Sequence, residues 1–139
     1  MRVFFTSSES FGEGKGSADF YMEMDRVFNE GLADKFYGDG IDCCSLMFVF
    51  HREDGPGDRG KERTLYKRQS RELDLRLFAD HDGWRRARTE KNPPEQYRLL
   101  YDVAARSFDI MRAKKIPNLD VDALERDVHA LAAAQGWTR

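Results

Sequence analysis

Cysteine is almost missing from this chain of 139 residues; the 2 present, Cys43 and Cys44, are neighbours. Adjacent cysteines on a strand point to opposite sides, so they neither bridge easily nor form a C-x-x-C pair. Histidine is equally scarce. The 3 present, His51, His81 and His129, are scattered, and none sits at metal-ligand spacing with another histidine or with the cysteines, so no metal and no cofactor is expected. No apolar run approaches the roughly 18 residues needed to span a bilayer. The opening Met1-Arg2-Val3-Phe4-Phe5-Thr6-Ser7-Ser8 turns polar too quickly for a secretory signal, and a cytoplasmic protein with no membrane partner is expected. Net charge is lacking too, at −2. No internal repeat or linker divides the chain, and its length suits one domain, residues 1–139, able to bury a core without disulfides or metal.

What is present is charge and aromatic bulk. Asp, Glu, Lys and Arg make up 35% of the residues, against about 25% in an average soluble protein, which implies a very polar surface. Aromatics reach 12%, with 10 Phe, which excludes a disordered chain. The charge is also unevenly placed. Residues 1–58 hold 5 basic and 12 acidic residues, a balance of −7. Residues 59–91 hold 11 and 6, a balance of +5, and residues 92–139 are even at 7 and 7. Imbalances of this size create local potentials even where the total is small.

Hydrophobic periodicity outlines the elements. Val3-Phe4-Phe5 reads as a first strand, followed by a polar, Gly-rich loop over about 8–16. A helix should start after Ser17, a good N-cap, with Asp19 in its first turn. Phe20, Met24, Val27, Phe28 and Leu32 form its buried stripe, and Gly38 and Gly40 mark its stop. Ile41–Phe50 is the most apolar stretch and reads as a central strand, partly buried on both faces. An exposed loop follows at about 53–61 around Gly55-Pro56-Gly57. Thr64-Leu65-Tyr66 marks a third strand and the alternation of Leu73, Leu75 and Leu77 with charged residues a fourth, joined by a turn near Gln69-Ser70. A short helix is expected over Trp84–Glu90. Pro93-Pro94 then opens a long helix with Tyr97, Leu100, Tyr101, Ala104, Phe108 and Met111 on one side, which Pro117 ends. Asp122 and Glu125 have the spacing of an N-terminal cap for a last helix with Leu124, Val128, Leu131 and Ala132 inside and Gly136 at its close. The expected fold is α+β in the order β-α-β-β-β-α-α, with a mainly antiparallel sheet of about four strands and helices packed on it.

Motifs for chemistry are weak. Gly12-Glu13-Gly14-Lys15-Gly16-Ser17 lies between a strand and a helix but matches neither the dinucleotide spacing nor the P-loop, and a mobile glycine loop is expected instead. Cys43 and Cys44 sit in the most apolar strand, where core thiols rather than nucleophiles belong. Asp80 and Asp82 around His81 have the residue types of a small metal-dependent hydrolase, and equally those of a turn or helix start. No catalytic residue is assigned and no enzyme is expected.

Two charged surfaces remain as candidates for binding. Arg63, Lys67, Arg68 and Arg71, with Tyr66 among them, have the composition of a nucleic-acid-binding segment within residues 59–88, although the pI of about 5.9 and the absence of a known binding motif argue against it. On the other side, Asp19, Glu23, Glu30 and Asp34 recur at intervals of four, seven and four along the first helix, away from Phe28 and Leu32. Arg26 can pair with Glu23 or Glu30 within this stripe, and Asp39 and Asp42 extend the acidity. Such a stripe is either an ordinary solvated face or a docking surface for a basic partner.

The layout resembles a known group. An N-terminal strand, an acidic helix ending in Tyr37-Gly38, a central strand and the amphipathic Glu72–Leu77 strand come first. Helices carrying Ser107-Phe108, Lys114-Lys115 and Asp122–Val128 follow. Together these resemble the small cytoplasmic immunity proteins that bacteria encode beside polymorphic, contact-delivered toxins. The resemblance implies an inhibitor that binds the C-terminal domain of its cognate toxin and occludes the active or substrate-binding site. It also implies that, if the toxin is a nuclease, the acidic helix stands in for the phosphates of its substrate.

Overall fold

The computed structural model describes residues 1–7, 16–50 and 62–138. The elements in chain order are β1 (Arg2–Ser7), α1 (Gly16–Leu32), β2 (Cys43–Phe50), β3 (Arg63–Lys67), β4 (Glu72–Ala79), α2 (His81–Thr89), α3 (Pro93–Lys114) and α4 (Val121–Ala134). The fold is α+β, and the expected order holds, with the short segment near Trp84 forming the full helix α2. Apart from Gly16, which opens α1, the Gly-rich loop at about 8–16 lies outside the described residues, as does the loop at about 53–61.

The four strands form one sheet in the order β1-β2-β4-β3. β1 and β2 are parallel, as are β2 and β4, and only β3 and β4 run antiparallel. The sheet is therefore mixed, which corrects the expectation of a mainly antiparallel one. The reason lies in the connections. A helix between β1 and β2 returns the chain to the same end of the sheet, so the two strands must be parallel. β4 then turns back from β3 and inserts between it and β2. The choice of neighbour follows burial: Leu73, Leu75 and Leu77 are 0–2% exposed and belong in the middle. β3 keeps the edge, with charged Arg63 and Lys67 at its ends, which discourages pairing with another chain.

Alternation along the strands separates two faces. Val3, Cys44, Leu46, Leu73, Leu75 and Leu77 are buried beneath the helices. On the opposite face Cys43, Ser45, Glu72, Asp74 and Arg76 are half-buried, while Arg2, Arg63, Leu65 and Lys67 are exposed. The covering layer is built from the buried stripes of α1 (Met24, Val27, Phe28, Leu32), α3 (including Leu100, Ala104, Phe108, Met111) and α4 (Leu124, Val128, Ala132). Helix α2 packs its Trp84 and Ala87 into the same core. Gly31, an unfavourable residue inside a helix, is explained by closeness: a Cβ there would come within 2.5 Å of the Leu131 side chain on α4.

Among the boundaries that differ from expectation, two redirect the chain. Helix α1 stops at Leu32 instead of running to Gly38, because a turn closed by Lys35 N–H donating to Leu32 O (3.0 Å) redirects the chain. That turn carries Tyr37 and Gly38 to the connection between α3 and α4. There Gly38 bridges Leu119, Asp120 N–H donates to Tyr37 O (2.8 Å), and Tyr37 Oη donates to Asp127 (2.5 Å). Held in this way, residues 119–120 cannot be helical, and α4 starts at Val121 with Asp120 as its cap, its Oδ1 accepting from Ala123 N (3.0 Å). Asp122 and Glu125, the expected cap pair, are bound instead by Arg112 of α3.

Gly38 has φ of +104°, and a Cβ on it would fall 1.8 Å from Asn118 O. Both the conformation and the contact exclude a side chain. Gly38→Ala is expected to lower stability by about 2 kcal/mol or more, read as a fall of several degrees in thermal midpoint by circular dichroism. A midpoint within one degree of wild type would show that this pin does not hold the fold.

Candidate functional site

Helix α1 is amphipathic, so its buried stripe dictates which residues face outward. At 100° per residue, Met22, Glu23, Arg26 and Glu30 occupy the half of the helix opposite Met24, Val27, Phe28 and Leu32. Arg26 stands between the two glutamates. Its Nε and Nη2 donate to Glu23 (3.0 and 2.5 Å) and its Nη1 donates to Glu30 (3.0 Å). These hydrogen bonds to Arg26 hold the Glu23 carboxyl below its ordinary range. They raise the Arg26 pKa in turn, so the Glu23–Arg26 pair stays ionised at neutral pH.

The other acidic candidates continue from this stripe. Asp19 lies near the start of α1. Asp34 is exposed in the turn after α1, not on the helix as the spacing implied, and Asp39 is exposed a few residues further on. Asp42 is differently placed: its carboxylate pairs with Arg71 Nη2 (2.5 Å) in the turn between β3 and β4. The structure thus brings one end of the acidic surface into contact with the candidate basic one. Of the four basic candidates, Arg63 and Arg68 are exposed, Arg71 pairs with Asp42, and Lys67 pairs with Asp74 (2.9 Å).

The remaining chemical candidates have structural work. Asp80 caps α2, its Oδ1 accepting from Gly83 N (2.9 Å), which is the helix-start reading of that segment. His81 opens α2 and Asp82 follows in its first turn. Cys44 is buried beneath the helices and Cys43 is half-buried on the opposite face of the sheet. Burial pushes both thiols up, which makes them poor nucleophiles. Among the described residues no group of three or more His, Cys, Asp or Glu is arranged to hold a metal. Among the described residues no helix is long and apolar enough to cross a membrane.

Two features escape the sequence pattern. Phe36 is 72% exposed and Met22 61%, so the acidic surface carries two large apolar side chains. Phe36 follows Leu32 by four residues, the spacing of a continuing buried stripe, and only the early end of α1 turns it outward. The second is a groove of about 300 Å³ beside Glu23, between α1, the start of α3 and the segment after α4.

The outward face of α1 and the turn after it thus combine carboxylates with two exposed apolar side chains. A family model described as immunity protein 44 matches residues 1–133. The chain belongs to the immunity protein 44 family. No curated protein and no solved structure shows significant similarity to it. Membership of an immunity family makes a toxin the partner, which agrees with the resemblance drawn from the sequence and points away from enzymatic function.

The Arg26 clamp gives a direct expectation. In Arg26→Ala the Glu23 carboxyl should titrate at a higher pH than in wild type, because the hydrogen bonds that favour its ionised form are gone. Carboxyl-detected NMR across the range pH 2–7 measures this; an unchanged midpoint would mean that the clamp does not form in solution.

Proposed function

We propose that this immunity protein neutralises a cognate bacterial toxin domain by docking the acidic face of α1 and the turn after it against the toxin, so occluding its active or substrate-binding site. The reading rests first on membership of the immunity protein 44 family, which supplies the class of partner. The choice of surface rests on what α1 and the segment after it present: Glu23 and Glu30 with the exposed Met22 on the helix, and Asp34, Phe36 and Asp39 beyond its end. Exposed apolar anchors beside charged residues are what a specific interface uses. Carboxylates on such a surface steer encounter with a basic surface and disfavour wrong partners.

The reading extends to a nuclease as the toxin. Nuclease clefts are basic because they hold phosphates, and a row of carboxylates presents the same sign of charge. No chemistry is asked of the immunity protein itself; its function is complete when the cleft is covered.

The test uses the toxin domain encoded beside the immunity gene. Glu30→Lys combined with Asp34→Lys is expected to weaken binding by about 100-fold or more, chiefly through slower and more salt-sensitive association. Phe36→Ala should weaken it by about 10-fold, the cost of a typical anchor. All three positions are exposed, so the variants should melt with wild type. Cells expressing the toxin domain should lose protection in the same order. Wild-type affinity and full protection in all variants would rule out this surface.

A further inference from the structure

The groove beside Glu23 has a composition that selects its occupant. One wall is Pro93 and Pro94, the first two residues of α3, and Tyr97 one turn later. Glu23 of α1, Gln135, Gly136 and Trp137 complete the lining. The aromatic wall is fixed in place: Trp137 stacks on Tyr97 with ring centroids 5.0 Å apart and planes 8° from parallel. It also meets Phe28 edge-on at 5.9 Å, which ties the groove to the core.

The chemistry of these walls favours a cation. The first two residues of α3 are prolines and have no N–H, and Asn92 Oδ1 accepts from Glu95 N (3.3 Å). The helix start therefore lacks the free donors that an anion would need. Glu23 meanwhile offers a carboxylate held in its ionised form by Arg26. Arg26 takes one bond at each carboxylate oxygen, and each oxygen keeps a second lone pair. Rigid proline and aromatic walls suit an apolar stem, and a carboxylate in the lining suits a positive head. A long basic side chain has both.

We infer that this groove is the socket for a Lys or Arg side chain of the toxin domain, with the stem along Pro94 and Tyr97 and the cationic head on Glu23. The inference rests on the proposed toxin-docking function and deepens it, because Glu23 belongs both to the groove and to the acidic face of α1. A socket that is already formed loses little freedom on binding, and desolvated pockets filled by a single long side chain are where interface energy concentrates.

Three binding measurements with the toxin domain encoded beside the gene decide the matter. Glu23→Gln removes the charge and keeps the shape. Gln135→Trp fills the groove from an exposed position, and circular dichroism establishes that both variants fold. Each is expected to weaken binding at least 10-fold, mainly through faster dissociation. A Lys or Arg to Ala scan of the toxin domain should contain one substitution whose effect disappears in the Glu23→Gln background. If wild type binds and both groove variants bind within twofold of it, the socket is wrong while the docking function stands. If folded wild-type protein does not bind the toxin domain, the docking function fails and the socket with it.

Discussion

The leucines of β4 set the layout of the molecule. Leu73, Leu75 and Leu77 share one face of a strand in the middle of the sheet, and all three are essentially withdrawn from solvent. Each contributes roughly 1.5–3 kcal/mol on full burial, and only a layer of helices on that side can supply it. Helices α1, α3 and α4 are therefore packed side by side over one face. The other face carries Glu72, Asp74 and Arg76 among its described residues, and α1, beside β1 and α4, keeps an outward surface that no described element covers. That outward surface is where the acidic residues lie.

Charge follows the same division between structure and contact. In the balanced C-terminal block the ions satisfy one another locally: Arg98 pairs with Glu95 and Asp102, and Arg112 with Asp109, Asp122 and Glu125. Arg106 reaches across to Glu62 and to Phe78 O (2.7 Å), tying α3 to the sheet. Exposed pairs of this kind add little stability one by one, and their value lies in orientation. On α1 the arithmetic differs. One Arg26 serves two glutamates, and Asp34 and Asp39 stand exposed beyond them, so the surface keeps an excess of negative charge.

Much of this was legible in the sequence because periodicity reports burial directly. The alternation at Leu73, Leu75 and Leu77 and the stripes of α1, α3 and α4 each mark a buried face. Periodicity does not report neighbours, which is why strand direction was misread: alternation says which way a side chain points, not which strand lies alongside. The cap of α4 moved to Asp120 for a similar reason, since the pairing of residues 37–38 with 118–120 joins positions some 80 apart in the chain. The acidic stripe and its pairing with Arg26 were visible as spacing, but the exposure of Phe36 depends on where α1 ends. The groove was invisible in the sequence, because Glu23, Pro94 and Trp137 meet only after α1, α3 and the chain end are packed.

The central claim is that the immunity protein meets its toxin with the outward face of α1. Amide hydrogen exchange of the protein alone and in complex with the neighbouring toxin domain tests it most directly. Protection appearing over residues 22–39, and extending to 135–137 beside the groove, is the expected result. Protection confined to the β3–β4 hairpin, with α1 exchanging as in the free protein, would contradict the account.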